Sequence, residues 1–311
     1  MAGAYVSEAH INPGLTDFAT GYKNGKYIAD LLSPVVSCDM RSDTFRTRSR
    51  RDATNILEAV FGPETEARSG IYNVSSSTFK VVDYGLKLPI NSADLDANNG
   101  PLDPRQGKTQ QLMNSLLLAR EFRVATQFTT TGNYASTAAA SAVWANKTTA
   151  TPVDDILTAI RRIAPSSEES RLVAWCSIDV WHTLRVHPQL LALKGATSGM
   201  ISRAEFGEFF DCDELAVSDA QRDTANPGAA SGSYSRVWGT TVFGIARVPL
   251  NPSGKDIESF ACTFRLGGQV RVREYAAPHI GPGGSVMIQA EHSDDEVLPQ
   301  NDMATLITSV A

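Results

Sequence analysis

LDANNGPLDPRQGKTQQLMNSLLLAREFRVATQFTT, residues 95–130, is the stretch around which the rest of the chain is organised. It opens on turn chemistry, Asn98-Asn99-Gly100-Pro101, and passes into a complete helix start. Asp103 is a good N-cap, Pro104 fits the first helical position, and Gln106 is placed to reach back as the third-position partner. No proline or glycine interrupts Leu112 to Phe128. A helix over 104–129 would be roughly 35–40 Å long at 1.5 Å per residue, long for a globular protein. Its apolar residues fall in three stripes: Met113, Leu117, Val124 and Phe128; Leu118, Phe122 and Ala125; Leu112, Leu116 and Ala119. A helix apolar most of the way round is expected to be buried with material on both sides. Arg120, Glu121 and Arg123 interrupt the run, so it is not a membrane span.

The 311 residues fit two domains or one large one. A hydrophobic content of 42% with 20% charged residues is that of a folded chain with a real core. The net charge of −6 argues against a nucleic-acid reader working through a broad basic surface, while leaving room for a local patch. The opening MAGAYVSEAHINPG has neither a basic start nor an apolar run, so no signal peptide is expected. Cys38, Cys176, Cys212 and Cys262 are far apart and form no CxxC pair, which predicts reduced thiols rather than a zinc site or a disulfide framework.

On either side of the central helix the chain changes character several times. Residues 1–36 carry scattered aromatics (Phe18, Tyr22, Tyr27) and the patch Ile28, Leu31, Leu32, the pattern of an arm that docks elsewhere. Residues 37–80 bring Arg41, Arg46, Arg48, Arg50 and Arg51 into one polar excursion, either a solvated face or a loop pairing with acidic groups or phosphates. DATNILEAVF (Asp52–Phe61) reads as a short helix, and TFKVVDYGLKLPI (Thr78–Ile90) as a strand leading to the spine. Tyr134 to Ala150 reads as a linker anchored at Trp144.

Thr151 and Pro152 open a second helix with the stripe Val153, Ile156, Leu157, Ile160 and Ile163. RLVAWC reads as a buried strand, Ser177 as the cap of the helix that follows, and ISRAEFGEFF as a short helix. Strands are then expected at ELAVS, VWGTTVFGIARV, SFACTFR, QVRVREY, GSVMIQA and MATLITSV. Helices in the middle and strands in the last third make the class α+β.

Catalytic patterns are sparse. Gly107-Lys108-Thr109 lacks the upstream glycine and preceding strand of a phosphate loop. The five histidines include no HExxH or HxH pair. Asp179 and His182 share a helix and form the best acid–base pair on offer, although a surface histidine on a capped helix explains them as well. Glu291 to Glu296 reads as an acidic surface loop rather than a cation site. No cofactor or metal is expected. A long arm, a long polar loop and an over-apolar helix fit a subunit whose extensions find partners in other copies of itself.

Ala93-Asp94-Leu95, Pro101-Leu102-Asp103-Pro104, Gln111-Leu112 and Leu116-Leu117-Leu118-Ala119-Arg120-Glu121, taken in order, resemble the major capsid proteins of tailed bacteriophages. So do Tyr22-Lys23, with Tyr27-Ile28-Ala29-Asp30-Leu31-Leu32-Ser33-Pro34, for the arm. Val237-Trp238-Gly239 and Val270-Arg271-Val272-Arg273-Glu274-Tyr275 are similar to late strands of that family, and the likeness runs from about residue 15 to 310.

The resemblance implies an N-terminal arm (1–36) and an extended loop (37–80). It further implies a peripheral domain with the spine helix (81–150 and 266–295) and an axial domain (151–265 and 296–311). It implies pentamers and hexamers of an icosahedral shell around packaged double-stranded DNA, made in a bacterial cytoplasm and found in the virion. A separate scaffolding protein, a portal and decoration proteins would be partners, and no membrane would be. Lysine–asparagine cross-linking through Lys80 or Lys87 is not expected. Arg41, Arg46, Arg48, Arg50, Arg51, Arg105 and Lys108 are the candidate inter-subunit residues, with Asp294-Asp295-Glu296 as counter-charge on a neighbour. A compartment shell of the encapsulin type, holding cargo enzyme, and an enzyme using Asp179 and His182 are the alternatives.

Overall fold

The computed structural model describes residues 10–22, 24–48, 54, 56, 74–91, 103–166, 169–195, 199–226, 228–250, 257–281 and 283–311. Fifteen strands and seven α-helices follow one another along the described residues. The arm supplies β1 (His10–Ile11), α1 (Pro13–Gly21), α2 (Ala29–Leu32) and β2 (Val35–Cys38). A ribbon follows, of β3 (Ser42–Arg48) and β4 (Val74–Lys80), then β5 (Val82–Asn91) and the spine α3 (Pro104–Thr129). Next come β6 (Thr137–Ala139), α4 (Pro152–Arg162), β7 (Ser170–Ser177), α5 (Ile178–Leu184), α6 (Pro188–Leu193) and α7 (Arg203–Phe210). The rest is strand: β8 (Glu214–Ser218), β9 (Gln221–Asp223), β10 (Tyr234–Arg236), β11 (Val242–Pro249), β12 (Cys262–Leu266), β13 (Arg271–Ala277), β14 (Ser285–Val297) and β15 (Ala304–Thr308).

Two sheets carry the fold. In the first, β14 is central, with β5 along one edge and β13 and β12 along the other; β1 extends β13 and β2 extends β12 in parallel. Between β12 and β13 the chain turns through Gly267 and Gly268, both at φ near +70°, where a side chain would be strained. The second sheet has the order β6-β15-β11-β7-β8. One face of it is covered by α4 to α7 through Ile156, Val180, Leu184, Leu190 and Phe206; the other meets the spine and the arm. β7 shows why: Ala174 and Cys176 point to the helices, Val173 and Trp175 to the spine.

α3 joins the two cores. Its N-cap is Asp103, which accepts from the Arg105 N–H at 2.9 Å. Leu112, Met113 and Leu116 pack with Ile90, Val272 and Ile288 of the first sheet. Val124, Ala125 and Phe128 pack against the second sheet with Ile28, Ala29 and Leu32 of the arm. Phe128 is enclosed by Phe260, Trp238 and Trp175 at ring-centroid distances of 5.0, 5.7 and 5.8 Å. Burial runs down one broad face, not three. Arg120 and Glu121 lie within it, while Ala119 and Phe122 of the expected stripes face out. Arg222 covers the Phe122 ring at 4.2 Å. No helix among the described residues is long and apolar enough to cross a membrane.

Several sequence expectations need correction. Residues 137–139 of the supposed linker form strand β6 on β15, and Trp144 is fully buried. Thr151 and Ser177 stand at helix starts, but their side chains make no capping bond. Thr151 Oγ1 bonds Ser141 Oγ instead, at 2.9 Å. β12, in the part of the chain assigned to the axial domain, pairs with β2 and β14 of the first sheet. The extended loop has an apolar footing that its polar sequence concealed: Phe45 and Phe79 pack on Phe264 at 5.4 and 4.1 Å. The Asp52–Phe61 helix expectation falls almost wholly outside the described residues.

Gly107 lies in the first turns of α3, and a Cβ there would meet nothing within 4 Å. Gly107→Ala is therefore expected to raise stability by up to about 1 kcal/mol through helix propensity alone, read as a higher denaturation midpoint at unchanged slope.

Candidate functional site

The charged residues that interrupt the apolar run of α3 form a densely connected polar junction. Arg120 and Glu121 are 2% and 1% exposed. Glu121 takes over the start of α2, where backbone donors have no helical partner of their own. Its Oε1 accepts the Ile28 N–H at 2.9 Å and the Trp238 Nε1–H at 2.5 Å; its Oε2 accepts the Ala29 N–H at 2.8 Å. One carboxylate thus ties the arm, the spine and the second sheet together.

Arg120 does the same toward the first sheet. Its guanidinium pairs with Asp30 and donates to Ser33 O at 3.0 Å and Thr263 Oγ1 at 3.2 Å. Its Nε lies 3.9 Å from Asp294 Oδ2. Asp294, fully buried on β14, receives a two-pronged bond from Arg265 with both contacts at 2.7 Å. One turn along the spine, Arg123 forks onto Glu296 at 2.7–3.2 Å and lies 3.7 Å over the Tyr84 ring; Gln127 donates to Glu296 O at 2.9 Å.

Electrostatics follow from burial. Removal from water pushes the Glu121 carboxyl above the usual range, and the donors from Ile28, Trp238 and Ala29 with Arg120 offset only part of this. Burial pushes Asp294 up as well, but Arg265, His292 and Arg120 together outweigh it and hold the carboxyl below its ordinary value. A buried charge that keeps such a network is costly to leave unpaired, so the members of the junction hold one another in place. Among the described residues no group of three or more His, Cys, Asp and Glu is placed to hold a metal ion.

The residues named from sequence are scattered. Arg41 forks onto Asp83 of its own chain at 2.9 and 3.2 Å, and Arg105 bonds its own Glu274 at 2.9 Å. Arg46 is exposed on β3, and the backbone of Arg48 pairs with Val74. Lys108 is half-buried on α3. Arg50 and Arg51 lie outside the described residues. The reading of Glu291–Glu296 as an acidic loop is overturned: these residues belong to β14, with Asp294 spent on Arg265, Glu296 on Arg123 and Asp295 on the Lys80 N–H at 2.7 Å. Asp294 and Glu296 are thus paired within the chain, each with an arginine of its own subunit. Asp179 forks onto Arg236 at 2.8 and 3.1 Å, and His182 is an exposed helix residue. The carboxylate an acid–base pair would need is held elsewhere.

The sequence reading missed Arg120 and Glu121, taking them as interruptions of the spine, and Asp294, taking it as part of an acidic surface loop. Their spacing carried the signal: Arg120 stands four residues from both Leu116 and Val124, inside the buried stripe.

No family model matches the chain. It is 24% identical over 300 residues to the major capsid protein of Pseudomonas phage JBD67, covering 94% of each chain. Among solved structures it resembles a phage-related protein from Bordetella bronchiseptica RB50, at a TM-score of 0.74 and 18% identity over 97% of this chain and 98% of that one. It also resembles the capsid of the cyanophage P-SCSP1u, at a TM-score of 0.55 and 12% identity over 93% and 89% of the two chains. The near-complete coverage of these matches gives this chain the fold of the phage capsid proteins.

Proposed function

We infer that this chain is the structural subunit of an icosahedral phage shell, with no catalytic role. The observation that carries this reading is the near-complete alignment with a phage major capsid protein, on a fold whose arm is riveted to the spine through Glu121 and Arg120. A subunit of this kind must stay rigid while its exposed extensions bind copies of itself. Copies assemble as pentamers and hexamers around packaged double-stranded DNA held without sequence-specific contacts. A separate scaffolding protein directs assembly, and a portal and decoration proteins complete the virion.

The experiment is negative-stain microscopy of the expressed chain, with and without a co-expressed scaffold, plus analysis of particle contents. Closed shells are expected, with nuclease-protected DNA in particles from infected cells. A chain that stays monomeric under every condition, or particles filled only with protein cargo, would overturn the reading.

The arginine-rich loop supplies contacts between subunits in this reading. Arg46, Arg48, Arg50 and Arg51 pair with carboxylates of a neighbouring copy other than Asp294 and Glu296, which are bonded to Arg265 and Arg123. Single exposed pairs are worth about 0–1 kcal/mol, but a closed shell repeats them many times. Replacing all four by alanine is expected to lower shell yield or the temperature at which shells fall apart, while the free chain keeps its stability. Normal shells from that variant would rule the loop out as an assembly contact.

A further inference from the structure

His292 sits on β14 beneath the spine, 6% exposed, and neither ring nitrogen has a hydrogen-bond partner among the described residues. Its Nε2 is 3.4 Å from Asp294 Oδ2. Tyr84 of β5 packs on the ring at 5.6 Å, and Arg123 of α3 lies over Tyr84. The charged groups around the imidazole are Asp294 on its own strand, Arg265 on β12, and Arg123 and Arg120 on α3. Flanking residues of β14 pin the root of the extended loop. Ser293 Oγ donates to Asp83 at 2.5 Å, Asp83 also takes Arg41, and Asp295 takes the Lys80 N–H.

An imidazolium does not fit this site. It would be a fourth cation among three guanidiniums whose carboxylates, Asp294 and Glu296, are already bonded to Arg265 and Arg123. A buried charge whose counter-charge, Asp294 at 3.4 Å, is already held by Arg265 is relieved by letting water in. The element that can yield is β5, which pairs only with β14 among the described strands and shows its other edge to solvent. We propose that His292 is an acid-sensitive latch: proton uptake on its imidazole favours separation of β5 from β14 and the spine at the Tyr84–Arg123 seam, which frees the root of the extended loop.

The direction of the pH effect follows from burial. Burial lowers the imidazole pKa to about 4; Asp294 opposes this, and Arg265, Arg123 and Arg120 reinforce it. A solvated imidazole titrates at about 6.5. The open seam therefore binds a proton that the closed seam rejects. Opening is favoured as pH falls below about 6.5, and the effect is complete near the folded value.

The test is hydrogen–deuterium exchange of the full chain at pH 7.5 and 5.0, corrected for intrinsic exchange and followed in peptides covering 82–91 and 116–127. The opening equilibrium of wild type is expected to rise roughly 30-fold between the two conditions. His292→Phe keeps a ring against Tyr84 but cannot take a proton, and should remove the rise. His292→Gln serves the same purpose if the larger ring disturbs packing. A wild-type seam that does not respond to acid overturns the latch. So does a rise that survives in both variants, since the response would then belong to the carboxylates at the loop root.

Discussion

Replacing Glu121 with alanine is expected to cost about 4 kcal/mol of stability and to loosen the arm. The substitution strands three buried donors, the N–H groups of Ile28 and Ala29 and the indole N–H of Trp238. Each orphaned buried donor costs about 1–3 kcal/mol, and the losses are not fully additive. Some is recovered because a carboxylate no longer has to be held out of water. Glu121→Gln should lose nearly as much: it keeps the volume but turns one acceptor oxygen into an NH2 group that faces a donor. Chemical denaturation of the full chain gives the loss, and limited proteolysis within residues 10–35 shows whether the arm has come free. A loss below about 1 kcal/mol would mean that these bonds are easily replaced by water.

Gly244→Ala is the second large effect, at about 3 kcal/mol or more. Gly244 on β11 stands directly opposite Trp175 on β7. The indole lies across the glycine, and a Cβ there would fall 2.3–2.5 Å from Trp175 Cε2, Cζ2 and Nε1. The indole cannot withdraw, since it is fully buried and packed by Trp238 at 5.0 Å and Phe128 at 5.8 Å. Moving it would disturb the nest that seats the end of the spine on the second sheet. A lowered denaturation midpoint with reduced near-UV circular dichroism is the expected reading; an unchanged midpoint would show that β7 and β11 slide apart at little cost.

The spine's limits, the arm and most strands were legible in the sequence because their signals are local: a cap and proline at Asp103-Pro104, apolar alternation, glycine-rich turns. The junction was not, because its logic spans distant parts of the chain. Glu121 reads as a solvated charge until α2, whose Ile28 stands 93 residues earlier, is folded onto it. The run from Glu291 to Glu296 misled for a different reason. Its charge suggested a loop, yet Ile288, Ala290, His292 and Asp294 keep one face of a strand buried at every second position. A period of two outranked composition there. Gly244 was illegible in principle, since its importance lies in the indole opposite and not in its own conformation.

The strand order also carries a consequence for the timing of synthesis. β14 is the centre of one sheet and β15 lies between β6 and β11 in the other. Both come from the last part of the sequence, and their partners β5 and β6 come from the first half. Neither sheet can close while the ribosome is still making residues 285–308, so folding rests on distant pairings and is slow for its size. A nascent chain exposes unpaired edges of β5, β6 and β11 until then, and can offer no finished surface to another copy. Synthesis of residues 285–308 is therefore the clock that decides when a subunit becomes competent to join anything.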